Sequence, residues 1–371
     1  VTDSDTNEHT KEGLRRTLRD LSNLHGVSGF EQAVVRYIRQ RLESLVDEVE
    51  TDRFGNVTAL KRGRNAGPLL MLSAHMDEIG FIVKSVEANG FLRFARIGGS
   101  GDGLLGCRKV DVNGHFGLIG SLSGHLGSAA RLGQVAPVSE LYIDVGASSA
   151  DAVSKMGINV GDPVSFISEF MEFTGGDRVC AKAMDDHAGL AIMIQVLTEL
   201  KGEIPFGSVR AVATVLEQVG LRGAAMAAYR IKPDYALAID GSPAADTPDL
   251  SVTKDSSVSM GNGPVVNLAM SSGDVIIRGH IAHPAMKRQL LAAAATRRVP
   301  VQLAAKTGGG SSEAALIHIA RGGIPAITVG VPRRYSFSPH EVIDLRDATG
   351  AVNLIVQFIR EMENHIDLGF V

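Results

Sequence analysis

Pro68-Leu69-Leu70-Met71-Leu72-Ser73-Ala74-His75-Met76-Asp77 decides the reading of this chain. Seven apolar or small residues run without alternation and end abruptly on an imidazole and a carboxylate. A nearly continuous apolar run of this length fits a central strand buried on both faces. Ser208–Leu216, Tyr235–Ile239 and Ile324–Val331 have the same character. Helical stretches lie between them, notably Asp186–Leu200 and Leu221–Tyr229. Ser28 and Glu31 read as a capping box opening a helix with Val34, Val35, Ile38, Leu42 and Leu45 on one face. Strands alternating with helices predict an α/β core, a mostly parallel sheet sandwiched by helices.

The glycines interrupt that pattern. Sixteen of the 42 fall within residues 79–169, among short candidate strands at Phe91–Ile97, Lys109–Val112, Phe116–Ile119, Leu141–Val145 and Pro163–Phe166. An inserted β-rich domain at 79–169 is therefore expected, with 1–78 and 170–371 forming the catalytic α/β domain.

Composition narrows the chemistry. The 371 residues hold 37 Lys plus Arg against 41 Asp plus Glu, a net charge of -4. That leaves no basic footprint for nucleic acid and no polybasic membrane signal. No apolar run approaches the ~18 residues of a membrane span. Val1–Thr10 is polar with no apolar core, so a cytoplasmic location is the expectation. Cys107 and Cys180 make no Cys-x-x-Cys pair and no disulfide framework. The chemistry falls to His, Asp and Glu.

These residues gather at strand ends. His75 and Asp77 follow Leu69–Ala74, Glu217 follows Ala211–Leu216, and Asp240 follows Tyr235–Ile239. Asp185 and Asp186 open the Asp186–Leu200 helix, and His340 lies just beyond Ile324–Val331. In open α/β sheets, ligands bind at the carboxyl ends of strands. Singly, each has an ordinary reading: a structural His-x-Asp, an N-cap aspartate, a strand-ending glutamate, an Asp-Gly turn. Together, at one edge, they point to a catalytic zinc, cobalt or manganese site. Asp77, two residues from His75, is placed to fix its tautomer, and Glu217 to act as general base. His187 reads as a helix-surface residue. Cys180 has no pairing histidine, and neither Ser242 nor Ser338 sits in a G-x-S-x-G elbow.

The motifs carry a resemblance. Gly26-Val-Ser-Gly-Phe-Glu31, Ala74-His-Met-Asp-Glu-Ile-Gly80, Ala183-Met-Asp-Asp-His-Ala-Gly189, Glu217-Gln-Val-Gly-Leu-Arg-Gly-Ala224, Ala238-Ile-Asp240, Gly308 to Glu313 and Arg334-Tyr-Ser-Phe-Ser-Pro339 occur in order. So do Leu141-Tyr-Ile-Asp-Val-Gly-Ala-Ser-Ser149 and Gly161-Asp-Pro-Val164. The whole chain resembles the glutamyl and deblocking aminopeptidases, the tetrahedral aminopeptidases, some of whose members carry the names cellulase M or endoglucanase M. The resemblance implies a zinc-peptidase-like catalytic domain with an inserted all-β dimerisation domain, often built into a tetrahedral dodecamer. It implies that a two-metal site removes N-terminal residues from short peptides. His75 and Asp240 would bind one metal, Asp185 would bridge both, Asp77 would orient His75, and Glu217 would be the base. A cis peptide after the bridging aspartate is common in the family.

Two positions depart from that pattern. Gln218 stands where the family has a second glutamate, and Phe337 where it has a histidine, both ligands of the second metal. Three ligands remain, enough for one catalytic ion with an open position. The expectation is one or two divalent ions per subunit, zinc or cobalt with manganese as the other option, and reduced or altered activity. Gln218 and His340 are the substitute ligands. The alternative is a catalytically silent member serving as an oligomeric assembly or peptide-binding protein. A glycosidase is disfavoured, because metal binding accounts for every clustered carboxylate.

Overall fold

A computed structural model describes residues 3–64, 67–121, 134–271, 279–306 and 310–362. The start of the expected Gly308–Glu313 motif lies outside them. Four strands form the heart of the molecule: β1 (Leu69–His75), β2 (Ser208–Thr214), β3 (Tyr235–Pro243) and β4 (Ala326–Arg334). They stand side by side in the order β2-β1-β3-β4, all parallel. Within the 12-stranded sheet the flanks turn antiparallel: Val57–Lys61 pairs with β2, and Glu341–Asp344 and Val265–Ser271 pair with β4. The unalternated apolar runs are explained by cover on both faces.

Each face buries a different set. Leu70, Leu72 and Ala74 of β1 join one core with Leu237, Ile239, Ile327 and Val329. Helices Asp3–Ser22, Gln32–Leu42, Met184–Glu199 and Leu345–Arg360 cover it. On the opposite face Met71, Val212, Ala236 and Ala238 meet Ala224, Ala227 and Ala228 of helix Arg222–Ile231. Met184–Glu199 is buried from Met184 through Leu197, as expected of a helix apolar all round. It therefore has no water-facing side, and His187 is 1% exposed rather than on the surface.

The capping box does not form. The Ser28 hydroxyl donates to the Asp77 carboxylate, and Glu31 Oε1 accepts the Leu216 N–H at 3.1 Å. Glu31 caps the helix at Gln32 with no side-chain bond. Distant partners took both groups, so a locally sound signal was redirected to the strand ends. Leu45 lies past the helix but still packs on the same core.

Six short strands between Gly80 and Phe166 close a separate barrel. Phe81 packs edge-on against Phe94 and Phe166, with ring centroids 4.9 and 5.2 Å away, inside an apolar core of its own. None of the described helices is long and apolar enough to cross a membrane.

Candidate active site

Parallel pairing sets Thr214 opposite His75 and Gly330 opposite Asp240. Residues just beyond one strand therefore sit beside those ending the next. His75 closes β1 with its Nδ1 2.9 Å from the main-chain oxygen of Asp77. The ring donates there, which turns Nε2 toward the cleft. The orienting group on Nδ1 is thus the carbonyl of Asp77, while its carboxylate oxygen stands 3.7 Å off. That carboxylate accepts the backbone N–H groups of Glu217 and Gln218, each at 2.9 Å. Asp77 fixes both the ring and the loop that carries Glu217.

The two aspartates at the helix start divide their work. Asp185 and Asp186 are joined by a cis peptide bond. Asp186 turns inward, accepting the N–H of Gly189 at 2.9 Å and that of His75 at 3.3 Å. Asp185 faces the cleft, Oδ1 lying 3.5 Å from His75 Nε2. Asp240, within β3 rather than after it, accepts the N–H of Gly241 at 2.6 Å. Donor atoms of His75, Asp185 and Asp240 all lie within 4.8 Å of one another.

The donor set fits a cation. Burial lowers the pKa of His75, yet Glu217, Asp186, Asp77 and Asp240 outweigh it and raise it to about 10. So much negative charge converges that the ring retains a proton where a positive group belongs. Asp186 and Asp240 are driven well up by burial first; the charge of Glu313 adds to the rise of Asp186, and those of Asp186, Glu217 and Glu313 to that of Asp240, with His75 opposing both. A divalent ion among three such donors would displace the proton and relieve the crowding. Glu217 sits beside them, Oε2 3.7 Å from His75 Nε2. Burial, then the charges of Asp77 and Glu313, lift it to about 7 despite His75. That is the range in which a carboxylate works as a general base.

The other sequence candidates fall differently. Gln218 and Phe337 line the same cleft of about 320 Å³. His340 is exposed, and its Nδ1 is 3.2 Å from Ser168 Oγ. Cys180 is half-buried, its thiol pushed up by burial and then by Glu341, an unreactive setting. Three buried groups went unread. Arg333 reaches Asp185 and Glu341, and Glu313 bonds the Thr214 hydroxyl. Glu341 had its place two residues past Pro339 to mark it; Arg333 had only its place one residue before the Arg334–Pro339 motif.

A parallel α/β sheet whose strand ends gather an imidazole, two aspartates and a partly neutralised glutamate defines a metal-dependent hydrolase. The M42 glutamyl aminopeptidase family matches residues 55–354, and the chain belongs to it. It is 30% identical over 338 residues to the glutamyl aminopeptidase of Lactococcus lactis subsp. cremoris, covering 89% of this chain and 91% of that one. Among solved structures it is similar to aminopeptidase APDkam598 from the archaeon Desulfurococcus kamchatkensis, with TM-score 0.89, 37% identity and coverage of 95% and 96%. It is also similar to the Pyrococcus horikoshii TET1 peptidase, with TM-score 0.82, 28% identity and coverage of 94% and 100%. That peptidase assembles into a tetrahedron or a large octahedral shell. Its function is accordingly that of a metallo-aminopeptidase, and the silent-member alternative is not favoured.

Proposed function

We propose that this chain removes N-terminal residues from short peptides with one divalent ion held by His75, Asp185 and Asp240. The observation that carries the reading is the convergence of those three donors within 4.8 Å, with Glu217 alongside. Bound there, the ion would lower the pKa of a water and polarise the scissile carbonyl. Glu217, beside His75 with its pKa lifted to about 7, is placed to take a proton from an attacking water and to return it to the leaving amine. Asp77 holds the His75 tautomer through its carbonyl and holds the Glu217 loop through its carboxylate. Zinc or cobalt suits this nitrogen–oxygen set, with manganese as the third option.

We further propose that residues 79–169 act as a dimerisation domain in a homo-oligomer of the tetrahedral kind. On the barrel strand His115–Gly120, Phe116 is 62% and Leu118 39% exposed. They point to the same outer face, an apolar pair suited to a partner chain. An enclosed assembly would admit short, unfolded peptides. The test is bound metal per chain, followed by a panel of aminoacyl chromogenic substrates with zinc, cobalt or manganese. Turnover is expected with a single ion per chain; none with any metal, in a folded oligomer, refutes the reading.

A further inference from the structure

Asp185 has two carboxylate oxygens, and the fold gives them different neighbours. Oδ1 faces His75. Oδ2 lies 2.8 Å from Nη1 of Arg333, whose side chain is 2% exposed. The same Nη1 is 3.0 Å from Glu341 Oε1, and Glu341 Oε2 accepts the backbone N–H of Asp185 at 3.0 Å. Arg333, Asp185 and Glu341 close a ring of charge-assisted bonds around one buried cation. In a two-ion centre a bridging carboxylate gives one oxygen to each ion. Here the second oxygen is already engaged.

The surroundings are shaped for a guanidinium. A Cβ on Gly241 would lie 2.9 Å from Arg333 Cζ and 3.0 Å from its Nε, so any side chain there would push the group out. The Phe337 ring centroid is 5.5 Å from Cζ, and the Phe337 N–H donates to Glu341 Oε1 at 2.8 Å. Gln218 and Phe337, which line this part of the cleft, offer an amide and a ring in place of a carboxylate or an imidazole.

We infer that the Arg333 guanidinium is the centre's built-in second cation. It occupies the position beside Asp185 Oδ2 that a second divalent ion would need, limits the centre to one ion, and keeps Asp185 turned toward that ion. Arg333 is a positioning residue that acts through Asp185. The inference rests on the one-ion reading above.

The test counts ions in the full-length oligomer, stripped with chelator and reloaded with zinc, by elemental analysis and calorimetry. The wild type and the Gln218→Glu/Phe337→His double variant should each hold one zinc per chain. Adding Arg333→Ala to the double variant should admit a second. Arg333→Met alone should weaken the remaining zinc site about 10- to 100-fold, and Arg333→Lys should recover most of that loss. Two zincs in the wild type or the double variant overturn the inference, a comparison that needs no Arg333 variant to fold. So does a folded triple variant still limited to one zinc, or an Arg333→Met variant with unchanged affinity. A wild type that binds no zinc overturns the one-ion reading beneath it.

Discussion

Replacing Lys182 by Met tests how the strand ends that carry the site are held in place. Lys182 Nζ lies 2.6 and 2.7 Å from the two oxygens of Glu78 and 2.6 Å from the carbonyl of Leu24. Both side chains are 2% exposed. Glu78 also accepts the N–H of Gly26 at 3.0 Å and the hydroxyl of Ser165 at 2.9 Å. One buried pair therefore ties together the turn before helix Gln32–Leu42, the barrel strand Pro163–Phe166, the end of β1 and the segment leading to Asp185. Removing the ammonium leaves a buried carboxylate with two neutral donors. Breaking such a pair from one side costs about 3–5 kcal/mol, roughly two to nearly four orders of magnitude in the folding constant.

Replacing both partners gives the opposite expectation. Lys182→Met with Glu78→Gln removes both charges at similar volume, and stability should return to within about 1–2 kcal/mol of wild type. The pair also sets an acid limit. Burial pushes Glu78 up, but Lys182 and His187 outweigh it and hold it below its usual 4.5. Its contribution is present above pH ~4.5 and fades as the pH falls through the lower folded value. The assay is urea unfolding of the metal-free protein at fixed concentration, followed by near-ultraviolet and far-ultraviolet dichroism. A loss under about 1 kcal/mol in Lys182→Met at unchanged m-value would refute the reasoning, as would a double variant no better than the single.

Glu217→Gln should lower kcat about 10²- to 10⁴-fold with zinc content unchanged, measured by stopped assays beside elemental analysis. Asp240→Asn should instead lose the ion, seen as a zinc content below that of the wild type after dialysis. His280, 2% exposed, is pushed down to about 4 by burial and then by His318. The unfolded chain takes up a proton near pH 6.5 that the folded one refuses until about 4, so stability falls by up to about 3 kcal/mol across that window. His280→Asn should flatten this slope in acid unfolding curves. Phe116→Glu with Leu118→Glu should lower the oligomer mass read by light scattering while the barrel stays folded, because both side chains already point outward.

The central sheet was legible because burial on both faces writes itself into sequence as unbroken apolar runs, and each of the four central strands carries one. The acidic cluster was legible for a related reason: a charged residue at the end of such a run has to be accommodated at the rim. The signals that failed were those whose partners lie far along the chain. Ser28 and Glu31 spell a helix start, yet their side chains serve Asp77 and Leu216. His187 looked free because a helix of sixteen residues usually has a wet side; this one is enclosed between the sheet and its neighbours. The antiparallel flanks of the sheet went unread as well, since pairing direction leaves no mark on a short strand. Helix Asp3–Ser22 begins with a polar stretch, and only Leu14, Leu18 and Leu21 betray its buried stripe.

Gln218 and Phe337 read as losses in the sequence, and charge balance explains why they belong with Arg333. Paired ions in two-metal centres stand about 3.5–4 Å apart. A divalent ion about 4 Å from a guanidinium, at an effective dielectric constant of about 20, is repelled by about 8 kcal/mol. Structural zinc in small domains binds with about 10–16 kcal/mol at neutral pH, so that repulsion would consume most of what a second site has to offer. A carboxylate at position 218 and an imidazole at 337 would then surround a cation whose charge is already countered by Asp185 and Glu341. With an amide and a ring there instead, the guanidinium needs no further counter-charge, and the Phe337 face lies against it. The three residues make sense as one substitution of a fixed cation for a diffusible one. Restoring two of them without removing the third should change little.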